Sequence, residues 1–147
     1  MAVLFDRLKR GAADCRGASA LEFALVLPVL LLILFGTIEY GWYLTCQFVL
    51  NHAVAEGARA GVASLEWEDE DPVATARTAA ERSFWLLGEA QASEFRQSLE
   101  AALMEEDDLR YLEVSVSDLT YFPVTGFLPE AFIPDRLKAR SVMTFPR

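Results

Sequence analysis

FALVLPVLLLILFGTI, residues 23 to 38, holds no charged side chain, and Glu22 and Glu39 stand at its two ends. A helix rises about 1.5 Å per residue and needs about 20 residues to cross a hydrocarbon core, so this run with its neighbours is long enough to span a membrane. The mixed apolar stretch Tyr40 to Leu50 extends it, and the membrane-spanning helix is predicted over residues 18–50. Glu39 must then sit near an interface, pair with a neighbour, or be protonated. Tyr40, Trp42 and Tyr43 suit an interfacial aromatic belt. Pro28 falls inside the run, where neighbouring groups in a membrane can satisfy the freed carbonyl, so a kink rather than a break is expected.

Outward from this run, the residues before Gly17 are net basic: Arg7, Lys9, Arg10 and Arg16 against Asp6 and Asp14. The remainder of the chain is strongly acidic, within an overall balance of 13 basic and 22 acidic residues and a net charge of -9. Positive charge on one flank and acidic excess on the other predict a cytoplasmic N-terminus and an extracytoplasmic bulk. A cleaved secretory signal would need small residues after the apolar core, and Glu39-Tyr40-Gly41-Trp42-Tyr43 supplies bulk and charge instead, so the helix is expected to be retained. Cys15 does not read as a lipoprotein site, since Asp14 precedes it and no apolar region lies before it. The net acidity argues against nucleic acid as a partner.

On the other side, residues 51–65 are predicted to continue the helix beyond the membrane. Ala53, Gly57 and Gly61 recur at four-residue spacing and leave one face almost without side-chain bulk, a seam for close helix packing against another subunit or against this chain's own C-terminal part. His52 precedes Glu56 by four residues and Arg59 follows it by three, both favourable helical pairings. One histidine does not make a metal site. The acidic run EWEDED, Glu66 to Asp71, ends the helix; it lacks the ligand alternation and glycine of a calcium loop and reads as a solvated linker.

The remainder, 66–147, is predicted to be an acidic extracytoplasmic domain, giving an α+β chain. Asp71-Pro72 has the chemistry of a helix start, Val73, Ala76, Ala80, Phe84 and Leu87 trace one face, and Gly88 is placed to stop the helix. A further amphipathic helical stretch is expected through Phe95, Leu99, Ala102 and Leu103. Tyr111 to Tyr121 and Leu137 to Phe145 alternate in the manner of half-buried strands, separated by a proline-rich loop from Phe122 to Pro134. An antiparallel pair is marginal by itself, so the helices after Asp71 should cover its apolar face.

No nucleophile with a base, paired-cysteine metal pattern or phosphate-binding glycine loop is visible, so no catalytic residue, metal ligand, cofactor or small-molecule substrate is expected. The informative motif is Arg16-Gly17-Ala18-Ser19-Ala20-Leu21-Glu22-Phe23, a glycine between basic leader and apolar helix with a glutamate at the fifth position after it. A carboxylate at the edge of an apolar helix is costly without a compensating charge, and cleavage after Gly17 would create one on Ala18.

This segment resembles the type IV prepilin site, and more narrowly that of TadE-like minor pseudopilins of the tight-adherence (Tad/Flp) pilus. LVLPVLL at Leu25 to Leu31, EGARAGV at Glu56 to Val62, and the C-terminal EVSVSDLTYFPV and KARSVMTF carry the resemblance further. It implies a leader over 1–17, a prepilin peptidase that cuts between Gly17 and Ala18, Glu22 as the subunit-pairing carboxylate, and Phe23 in a neighbouring aromatic position where such sites often have tyrosine. It also implies membrane lipid, other pilins or pseudopilins and the assembly platform as partners, an inner-membrane location before any entry into a surface pilus, and a part in cell adhesion. The competing expectation is an uncleaved membrane-anchored scaffold or binding protein that never enters a pilus.

Overall fold

The computed structural model describes residues 2–64, 71–84, 89–106, 109–128 and 132–145, the side chains of 2–16, Ala90 and Glu106 excepted. It has an α+β architecture of three helices and one antiparallel sheet. The acidic run at 66–70 and the helix stop expected at Gly88 lie outside the described residues.

Helix α1 runs unbroken from Ala2 to Ser64, through Pro28. Residues 17 to 38 are exposed or half-exposed, with Phe23 at 61 % and Leu25 at 70 %; burial begins at Glu39 and recurs at Cys46, Leu50, Ala53, Val54 and Ala58. These positions advance by three, four and seven residues, the spacing of one helix face. The rest of the chain therefore packs mainly on one face of α1 from Glu39 onward, while Leu44 and Phe48 on the other side stay 53 and 70 % exposed. Residues 18–38 rise about 31 Å, enough for one crossing.

Helix α2, Pro72–Ser83, begins as its sequence requires: Asp71 accepts the Val73 N–H at 3.0 Å and Pro72 occupies the first turn. It ends at Phe84, whose N–H donates back to Ala80 and Glu81. Phe84 then stacks on Phe95 of α3, Glu89–Ser98, with ring centroids 4.1 Å apart.

The expected pair of strands is a sheet of three: β1 Leu99–Glu106, β2 Leu109–Thr120 and β3 Arg136–Thr144, all antiparallel in the order β1-β2-β3. The stretch expected to stay helical through Leu103 turns to strand at Leu99. Leu99, Ala101 and Leu103 satisfy strand alternation as well as Phe95, Leu99 and Leu103 satisfy a helical face, so a short apolar pattern does not discriminate. The free edge of β2 decides, pairing Leu99 with Val116 and Leu103 with Leu112.

Leu99, Leu112, Val114, Val116, Leu119, Leu137 and Ala139 form the buried face. Val116 and Leu119 differ by an odd number of positions, which would point them to opposite faces. An irregularity between them, where Val116 opposes Ala139 and Leu119 opposes Leu137, absorbs one residue and keeps both inward. Three polar ties fix the helices to the sheet: Gln47 Nε2 to the Lys138 carbonyl at 2.7 Å, Arg77 Nη2 to the Leu99 carbonyl at 2.8 Å, and the Thr120 N–H to Glu94 Oε1 at 3.1 Å. The first of these satisfies a β3 carbonyl from α1, which thereby helps to close that sheet edge.

The small face of α1 is consumed inside the chain. A Cβ at Gly57 would lie 2.8 Å from the Ala76 carbonyl and 2.9 Å from Ala80 Cβ; one at Gly61 would collide with Leu112 Cδ2 and lie 2.7 Å from the Pro72 carbonyl. Alanine gains about 1 kcal/mol of helix propensity over glycine, but forcing α2 outward costs about 1–3 kcal/mol. Gly61→Ala should therefore destabilise the domain by about 1 kcal/mol net, while Gly41→Ala, where an added Cβ meets nothing within 4 Å, should not. Denaturant midpoints of the two variants in detergent check this; equal midpoints would rule out the close seam.

Candidate functional site

Gly17, Ala18, Glu22 and Phe23 are all exposed on the bare part of α1. A Cβ added at Gly17 would meet nothing within 4 Å, and its φ is not positive, so neither packing nor backbone conformation calls for glycine there. Glu22 adds a carboxylate to a surface otherwise made of Leu21, Phe23, Leu25, Val26 and Val29, each between 59 and 70 % exposed. Ala53, Gly57 and Gly61 are distant in sequence from that group; Ala53 is buried in the core, and Gly57 and Gly61 face α2. Glu56 is held by Arg59 Nη1 at 2.9 Å, while the His52 ring lies against Phe48 with centroids 6.4 Å apart.

The most elaborate polar arrangement surrounds Glu39, which sequence reasoning left with three possible fates. It is fully buried, and its partner comes from its own chain. Tyr121 Oη donates to Oε1 at 2.7 Å and the Val124 N–H to the same oxygen at 2.9 Å. The Thr125 N–H and Oγ1 donate to Oε2 at 2.8 and 2.5 Å. Both oxygens are thus doubly satisfied by a strand end and the loop that follows it. Tyr43 packs edge-on against Tyr121 at 5.4 Å, closing the cage from the helix side.

The donors from Thr125, Tyr121 and the Val124 backbone compensate the burial of the carboxylate. Burial and the hydrogen bond to Glu39 push the Tyr121 phenol upward, so it stays a donor. Glu39 is the first buried residue of α1 among those whose side chains are described. The available signal was one carboxylate closing an apolar run; its donors, more than 80 residues away, left no trace in the sequence around it. Among the described residues no group of three or more His, Cys, Asp or Glu side chains converges.

A long, exposed apolar helix ending at a caged carboxylate, with a small α+β domain packed on its far half, fits a single-pass membrane-anchored protein. Its N-terminal segment is TadE-like: the family model for TadE-like proteins matches residues 17–59, consistent with a protein of the Tad pilus system. No curated protein and no solved structure matches the chain. The family match begins at Gly17 and ends within the α1–α2 seam, so it covers the bare helix, Glu22, Glu39 and Gly57 and leaves the sheet outside.

Removing the Glu39 charge strands donors that are otherwise satisfied, so Glu39→Gln should cost about 1–3 kcal/mol. Denaturant midpoints of wild type and Glu39→Gln in detergent check this; equal midpoints would contradict the cage.

Proposed function

We propose that this protein is a minor pseudopilin of a Tad/Flp pilus, inserted in the inner membrane with its N-terminus cytoplasmic and its domain outside, and cut after Gly17 by a prepilin peptidase. One observation carries the reading: a carboxylate, Glu22, stands on a bare apolar helix five positions beyond a glycine that the fold does not use. In lipid such a carboxylate is expensive, whereas in a helical bundle the Ala18 amine of an adjacent subunit offsets much of that cost and sets register by charge. The role is assembly rather than catalysis, with other pilins or pseudopilins and the assembly platform as partners.

The internal seam at Gly57 and Gly61 supports a division of labour along α1. Its far half is committed to the domain, so contacts with neighbouring subunits fall to residues 18–38, where Glu22 lies. The uncleaved scaffold predicts a different N-terminus and no dependence on Glu22.

Mass spectrometry of protein isolated from membranes should find a chain beginning at Ala18, and an intact leader when the prepilin peptidase is deleted. Gly17→Ala should keep the helix, which gains about 1 kcal/mol locally, yet abolish cleavage. Glu22→Ala should leave cleavage largely intact and impair piliation. A native chain retaining its leader, or full piliation with Glu22→Ala, would favour the scaffold.

A further inference from the structure

The segment joining β2 to β3 carries large apolar side chains that face outward: Phe122, Val124, Phe127 and Phe132 are 54, 58, 52 and 72 % exposed. A soluble surface seldom gathers four such groups on one short segment. From Phe122 to Leu128 there is no charge, and Glu130, outside the described residues, is the only one before Asp135.

This segment is fastened at a defined height on α1. The Val124 and Thr125 N–H groups hold it to Glu39. Beyond that point it runs back along the helix: the Phe127 ring lies 5.0 Å from Phe35, and a Cβ at Gly36 would touch Leu128 at 3.9 Å. Phe35 precedes Glu39 by four residues, about 6 Å along the axis and inside the charge-free run. Leu128 also lines an open apolar groove with Leu32, Ile33, Gly36, Thr37, Tyr40, Gly41 and Leu44 of α1.

We propose that the β2–β3 segment is a second membrane contact, with Phe122, Val124, Phe127 and Phe132 entering the leaflet on the domain's side of the bilayer. The proposal rests on α1 being the membrane anchor. Continuity selects lipid as the occupant: the Phe127 ring lies beside Phe35 and Leu128 beside Gly36, within the charge-free run that the anchor reading places in lipid. A depth of about 5–10 Å below the headgroups is usual for interfacial apolar groups, and the contact with Phe35 falls in that range. A second contact, off the helix axis, fixes the orientation of the domain relative to the membrane, which one helix alone leaves free to rotate.

The test uses the full chain with Cys15→Ser, Cys46 being buried, reconstituted in vesicles of phosphatidylethanolamine and phosphatidylglycerol. Nitroxide labels are placed singly at Phe132→Cys, Val124→Cys, Leu30→Cys as a hydrocarbon reference and Ser117→Cys as an aqueous one. Collision rates with oxygen and with a water-soluble nickel complex are then compared. The expected result is a severalfold oxygen preference at 124 and 132, on the side of residue 30 and opposite to residue 117. Nickel preference at 124 and 132 with oxygen preference at 30 overturns the second contact and leaves the anchor standing. Nickel preference at 30 removes the anchor and the proposal with it. Low collision with both reagents at 124 and 132, unrelieved by lipid dilution, assigns the rings to contact between protein chains and overturns the proposal.

Discussion

The rest of the structure depends on where the first charge after the apolar run is put. A carboxylate at the end of a membrane helix has to be hydrated, neutralised or given donors. Here four donors from Tyr121, Val124 and Thr125 enclose it, and they arrive on a chain segment that has travelled through two helices and two strands before returning. The same carboxylate therefore ends the bare helix and begins the domain. It also sets the height of the β2–β3 segment on α1, so that Phe127 meets Phe35 and not a residue further out.

Helix α1 consequently has two parts. Before Glu39 most of its side chains are exposed, with Phe35 and Gly36 partly covered by Phe127 and Leu128. Above Glu39 one face narrows to Ala53, Gly57 and Gly61, which let α2 approach until backbone carbonyls nearly touch the helix, while Leu50 and Val54 reach into the core. α2 is itself alanine-rich where it meets the seam, at Ala76 and Ala80.

The TadE-like match follows this division only in part, covering 17–59 and stopping short of every strand. Features that join helix to sheet, such as Gln47 reaching the Lys138 carbonyl, have one member inside the matched segment and one outside it. The matched segment is thus separable in sequence from the sheet that packs on it.

Local chemistry made much of this legible in the sequence. The charge-free run required a helix, Asp71-Pro72 required another, and the alternation in Leu112, Val114 and Val116 required a strand, because each signal concerns residues a few positions apart. Tertiary structure decided what depended on distant partners: that Leu99 to Glu106 pairs with β2 as a strand although its spacing also suits a helix, that the seam at Gly57 and Gly61 faces α2, and that Glu39 sits in a cage of four donors. An apolar pattern tells a residue to be buried without saying against what, and a lone carboxylate states a requirement for donors without naming them; only the folded chain brings residues 39 and 125 within 2.8 Å.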